Sequence, residues 1–119
     1  MNWYLAKIVY QIICGDGDHT AQFDEQLRLI DAADHLQAFY KARHIGLGEE
    51  DSFLNNVNKR VKWKFIDVAE IHSLNKLVDG AEMYSKISEE ENADLYIQYI
   101  KSKSAHLLEM SKYLSPALN

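Results

Sequence analysis

Residues 2–14 are apolar on both of their alternate sets. One set is Tyr4, Ala6, Ile8, Tyr10, Ile12 and Cys14; the other is Trp3, Leu5, Val9 and Ile13, broken by Lys7 and Gln11. Period-two alternation rich in β-branched and aromatic residues argues for a strand. A half-buried strand would show one apolar and one polar set, and this one can leave neither face in water. Gly15-Asp16-Gly17-Asp18-His19-Thr20 then forms a turn or loop. A return strand is expected over 22–33. Phe23, Leu27, Leu29 and Ala33 share one of its faces with Glu25 and Asp31; Asp24, Gln26 and Arg28 share the other with Ile30.

Asp34 is a good N-cap for a helix over 35–45, with Leu36, Phe39, Tyr40, Ala42 and Ile45 among its three- and four-spaced residues. Gly46 reads as the residue that ends it. Residues 46–60, with Gly48, Glu49-Glu50-Asp51 and three Asn, read as a loop pinned by Phe53 and Leu54. A third strand is expected over 61–72, where Val61, Trp63, Phe65, Ala69 and Ile71 share a face interrupted by Asp67, and a short fourth over 81–87. Glu89, Glu90, Glu91 and Asp94 open a last helix over 91–113, with Ala93, Tyr96, Ile97, Ile100, Leu107 and Leu108 as its stripe; Pro116 stops it. The expected fold is an α+β two-layer sandwich of ββαββα order, a mostly antiparallel sheet of three to four strands with two helices on one face. Residues 1–113 make a single domain and 114–119 a loose tail.

Few constellations suggest chemistry. Asp16, Asp18 and His19, beside Cys14, have the side-chain types of a divalent-metal site. A calcium loop starting at Asp16 would need Gly at position 21 and Glu at 27; these are Ala21 and Leu27. The competing reading is that Gly and Asp are simply good turn residues. The five histidines include no HExxH and no i,i+4 pair, and the chain has no phosphate-binding loop, no GxGxxG and no nucleophile elbow. No cofactor is therefore implied. Lys59, Arg60, Lys62 and Lys64 surround Trp63, yet strand alternation sets Trp63 opposite Lys62 and Lys64. Stacking with phosphate neutralisation needs them together, and a net charge of −5 gathers no polyanion. Nucleic acid and membrane are not expected partners. The lone Cys14 allows no internal disulfide. With no signal peptide or apolar span evident, the cytoplasm is the expected location.

Several stretches together resemble a known family: Asn2-Trp3-Tyr4-Leu5-Ala6-Lys7-Ile8-Val9, Ile12-Ile13-Cys14-Gly15, Gln22-Phe23-Asp24-Glu25-Gln26-Leu27-Arg28-Leu29-Ile30, Glu50-Asp51-Ser52-Phe53-Leu54 and Trp63-Lys64-Phe65-Ile66-Asp67-Val68-Ala69-Glu70. Across nearly the whole chain they look like the domain of unknown function 4288 family. The resemblance implies a bacterial origin and a small stand-alone protein, and carries no catalytic residues.

The expected function is that of a non-enzymatic binding or interaction protein acting as a homodimer, with a protein partner as a further possibility. The motive is coverage: two helices occupy one sheet face, so Trp3, Leu5, Val9 and Ile13 need another cover, and a second chain is the commonest one. The alternative is a small-molecule or metal-dependent enzyme using the Asp16–His19 loop.

Overall fold

The structure, a computed structural model, describes residues 1–114. Its internal contacts divide the chain into two units, Met1–Ser85 and Lys86–Asn119. Six elements follow in the order β1 (Asn2–Cys14), β2 (Gln22–Ala32), α1 (His35–Gly48), β3 (Asp51–Leu54), β4 (Arg60–Leu74) and α2 (Ala93–Leu114). Over the described residues the protein is α+β, with one four-stranded antiparallel sheet and two helices.

The first unit holds the sheet, in spatial order β2-β1-β4-β3. The doubly apolar β1 lies inside it, paired with β2 on one side and β4 on the other. Directly opposed residues share a face. Tyr4, Ala6, Ile8 and Tyr10 therefore align with Ile30 and Arg28 of β2 and with Phe65, Val68 and Ile71 of β4. This is the core face, where α1 lays Ala38 and Ala42 against Tyr4, Ala6, Ile8, Tyr10, Ile30 and Ala32. Asp34 caps α1 as expected, its Oδ1 accepting from the Gln37 amide at 2.9 Å.

Four expectations need correction. The helix does not end at Gly46 but runs to Gly48, with Glu49 as C-cap. Gly46 is instead the third small residue of an Ala38–Ala42–Gly46 row, and a Cβ there would come within 2.6 Å of Phe65 Cδ1. The glycine is present for close approach of helix and sheet, not for a left-handed turn. Next, residues 51–54 are a strand: β3 pairs with Arg60–Trp63 across a turn in which Asn58 takes a positive φ of 62°. The 81–87 segment is not a strand and forms no regular element. Finally, the faces of β4 change partway. Val61, Trp63 and Phe65 are on the core face, but the register skips Ile66 and then Ala69. Each irregularity advances the alternation by one residue. The core positions beyond them are Val68 and Ile71, while Ala69 drops out.

The second unit contains α2. Asn92 accepts at its start, Oδ1 from the Leu95 amide at 3.0 Å. None of its residues is buried. Of the expected tail, Leu114 is the last helical residue, and 115–119 lie outside the described residues. No helix among the described residues is long and apolar enough to cross a membrane.

Candidate functional site

The sheet face opposite α1 gathers what the sequence left scattered. Trp3, Leu5, Lys7, Val9, Gln11 and Ile13 project there from β1 because they alternate with the core set. Across the β1–β2 ladder Trp3 faces Asp31, Leu5 faces Leu29, Lys7 faces Leu27, Val9 faces Glu25 and Gln11 faces Phe23. The four residues expected to need cover differ in how much of it they have. Leu5 is only 6% exposed and Trp3 39%, while Val9 and Ile13 are half-buried. The larger open surface is on β2, where Phe23 is 57%, Leu27 51% and Leu29 47% exposed.

An ion cluster interrupts this apolar face. The Lys7 ammonium lies 2.8 Å from Glu70 Oε2 and 3.7 Å from Glu25 Oε1, and His72 Nε2 lies 2.8 Å from Glu70 Oε1. The Tyr84 ring meets His72 edge-on, centroids 5.4 Å apart. The hydrogen bond from Lys7, reinforced by the one from His72, holds the Glu70 carboxyl below the usual carboxylate range. The same hydrogen bond to Glu70 raises the Lys7 ammonium above its ordinary value despite partial burial. At neutral pH both groups are thus charged and engaged with each other. A cavity of about 550 Å³ lined by His72, Ser73, Asn75, Met83, Tyr84 and Ser85 adjoins them. Sequence reading missed this cluster. Glu70 and His72 are a legible i,i+2 pair, but Lys7 joins them only through the β1–β4 register.

The hairpin loop brings Asp16, Asp18 and His19 together around a cleft of about 640 Å³, with Cys14 and Lys59. His19 is nevertheless committed to the backbone. Its Nε2 accepts from the Cys14 amide at 3.0 Å and its Nδ1 donates to the Thr20 carbonyl at 2.8 Å. One tautomer satisfies both contacts, and it leaves no lone pair for a metal. Asp16 Oδ1 likewise accepts from the Asp18 amide at 3.2 Å, closing an Asx turn. No group of three or more His, Cys, Asp or Glu among the described residues could hold a metal ion. Titration with zinc, manganese or calcium is expected to show nothing tighter than about millimolar, a ~4 kcal/mol event. Micromolar binding that Asp18→Ala abolishes would overturn this assignment of the loop to turn geometry.

Trp63 is on the core face, beyond the C-terminal end of α1. Its indole N–H donates to Asp24 Oδ2 at 3.2 Å and its ring stacks on Phe53 at 6.0 Å. Gln26 links Asp24 to Arg28, which forms a fork with Glu49 at 2.9 and 2.8 Å. The polar stripe of β2 thus ties the end of α1 to the sheet. Lys62 and Lys64 oppose Ile13 and Gln11 on the other face.

The model of a family described as domain of unknown function (DUF4288) matches residues 3–85, from the start of β1 to the end of the first unit. No curated protein and no solved structure matches the chain. With more than half of its length matched, this chain belongs to the domain of unknown function 4288 family.

Proposed function

We propose that the protein is a non-enzymatic interaction module acting as a homodimer through the sheet face opposite α1. The reading treats the first unit as a two-layer sandwich in which α1 covers one sheet face and the other is left for the contact. The observation that carries it is the open row Phe23, Leu27 and Leu29 beside Val9 and Ile13. Exposed large apolar side chains gathered on one sheet face in this way mark an interaction surface. A second copy suits it because the central Lys7 is already neutralised by Glu25 and Glu70. Across a two-fold axis the same patch then meets itself, apolar against apolar at Leu27 and Leu29, with Lys62 and Lys64 at its Ile13 end. Free Cys14 suits a reducing compartment such as the bacterial cytoplasm.

Light scattering behind size exclusion at ~10 μM should report at least twice the 13.8 kDa chain mass, since mass action sets the assembled fraction. Leu27→Lys should halve it. Leu27 is half-exposed, so in a lone chain the change costs within about 0.5 kcal/mol, whereas in the contact it buries an unpaired ammonium. Leu5→Lys is a poor probe, because Leu5 is already buried and the variant would unfold. An unchanged mass in Leu27→Lys would sink the sheet-face contact.

A further inference from the structure

We infer that β2 is a pairing edge, which joins the β2 of a second copy in antiparallel orientation and makes the two four-stranded sheets one. β2 ends the sheet, and among the described residues its strand partner is β1 alone. The direction of its backbone groups follows from the register. The Gly15 amide donates to the Arg60 carbonyl, so odd-numbered residues of β1 turn their amides and carbonyls toward β4 and even-numbered ones toward β2. In β2, Asp24, Gln26, Arg28 and Ile30 therefore bond to β1, while Phe23, Glu25, Leu27, Leu29 and Asp31 turn their amides and carbonyls outward. The Asp31 carbonyl agrees with this, because it accepts from the Lys41 ammonium of α1 at 2.8 Å. From Phe23 to Leu29 the outward groups meet no protein partner among the described residues. Such a row of amides and carbonyls is a template for another strand.

The side chains select the strand. A two-fold axis sets outward residues opposite outward ones, so it passes through a residue and not between two. Through Asp24 or Glu25 it opposes a carboxylate to itself. Through Arg28 it opposes the guanidinium to itself and Glu25 to Asp31, and through Leu27 it makes the same charges diagonal neighbours. Through Gln26 it sets Asp24 opposite Arg28 twice, Phe23 opposite Leu29 twice and Glu25 opposite Leu27 twice. Among residues of β2, the like charges that approach in this register are the two Glu25, on the diagonal, and each has its own Lys7 at 3.7 Å. Asp24 and Arg28 keep capacity for each other. Asp24 uses Oδ2 for Gln26 and Trp63 and keeps Oδ1, and Arg28 uses four of its five N–H groups on Glu49 and Gln26. The pairing adds about eight backbone hydrogen bonds. The opposite edge, β3, is four residues long. Pairing it with β2 would repeat without closing, whereas β2 on β2 closes at two copies. This contact lies in the plane of the sheet and is separate from the sheet-face contact.

The test uses the full chain. Glu25→Pro removes an outward amide and blocks the edge, and it spares the bonds to β1, which the Glu25 backbone does not make. It should halve the mass measured by light scattering, with thermal unfolding confirming that the sheet unit still melts cooperatively. In a Cys14→Ser background, Gln26→Cys chains should oxidise to linked dimers at least about tenfold faster than Asp24→Cys or Arg28→Cys chains, because the axis sets position 26 opposite itself at a Cα separation of about 4.5 Å. Gln26 is on the α1 face, so the sheet-face contact does not bring two copies of it together. An unchanged mass in a cooperatively melting Glu25→Pro overturns the inference. So does Gln26→Cys linking no faster than its neighbours, and this second result decides alone if Glu25→Pro fails to fold. Leu27→Lys faces Glu25 across the edge and leaves this contact intact. Halving by Glu25→Pro but not by Leu27→Lys upholds the edge contact and removes the sheet-face contact; the reverse removes only the edge contact.

Discussion

Tyr10→Ala should lower the free energy of unfolding by about 3–5 kcal/mol, the range for emptying a buried aromatic position. Tyr10 is 1% exposed and is the largest fully buried side chain. Its ring meets Phe65 at 5.9 Å between centroids, and its hydroxyl donates to the Gly46 carbonyl at 2.9 Å. It thereby joins the central strand, β4 and the last turn of α1. Tyr10→Phe keeps the volume and loses the hydroxyl, so it should cost only about 0.5–1.5 kcal/mol. Urea unfolding of the two variants separates the contributions. If Tyr10→Phe costs as much as Tyr10→Ala, the hydroxyl bond rather than packing holds the helix end.

Gly46→Ala should destabilise the protein by about 1–3 kcal/mol, although alanine favours an isolated helix over glycine by about 1 kcal/mol. The added methyl would overlap the Phe65 ring, which Tyr10 backs and which cannot move aside freely. Overpacking therefore outweighs propensity. At Gly48 an added methyl would meet nothing within 4 Å, and the backbone there has no positive φ. Gly48→Ala should stabilise by up to about 1 kcal/mol. Two glycines two residues apart are thus expected to respond with opposite sign, which chemical denaturation reads directly. Phe65→Leu should relieve part of the Gly46→Ala penalty, with a coupling of about 0.5–3 kcal/mol in the double-mutant cycle. Additive effects would mean that the ring and the glycine are not in contact.

Much of the candidate face was legible because strand alternation is a local property. The set Trp3, Leu5, Val9 and Ile13, and the row Phe23, Leu27 and Leu29, each follow from period two. Which set α1 would cover was not legible, since both sets of β1 are apolar. Nor was the burial of Leu5, or the identity of Lys7 as the hub of an ion cluster: these depend on a register that brings residue 70 beside residue 7. His19 is similar. Its type suggested a ligand, and only the folded turn shows both ring nitrogens held by the backbone.

Local chemistry determined the strands at 2–14 and 22–32, the Asp34 cap and the existence of both helices, because each rests on neighbours within a few residues. The tertiary structure decided the rest. Gly46 reads locally as a helix terminator, yet the helix continues, because an aromatic ring across the sheet needs the space a side chain would fill. Asp51–Leu54 reads as an acidic loop, yet it is a strand, because the turn at 55–59 folds it back onto Arg60–Trp63 of β4. Residues 81–87 read as a strand, yet no edge pairs with them. In β4 the alternation that fixes Val61, Trp63 and Phe65 fails past Ile66, because the register to β1 skips a residue there and again at Ala69. A local pattern can set a period, but only the partner strand sets the phase.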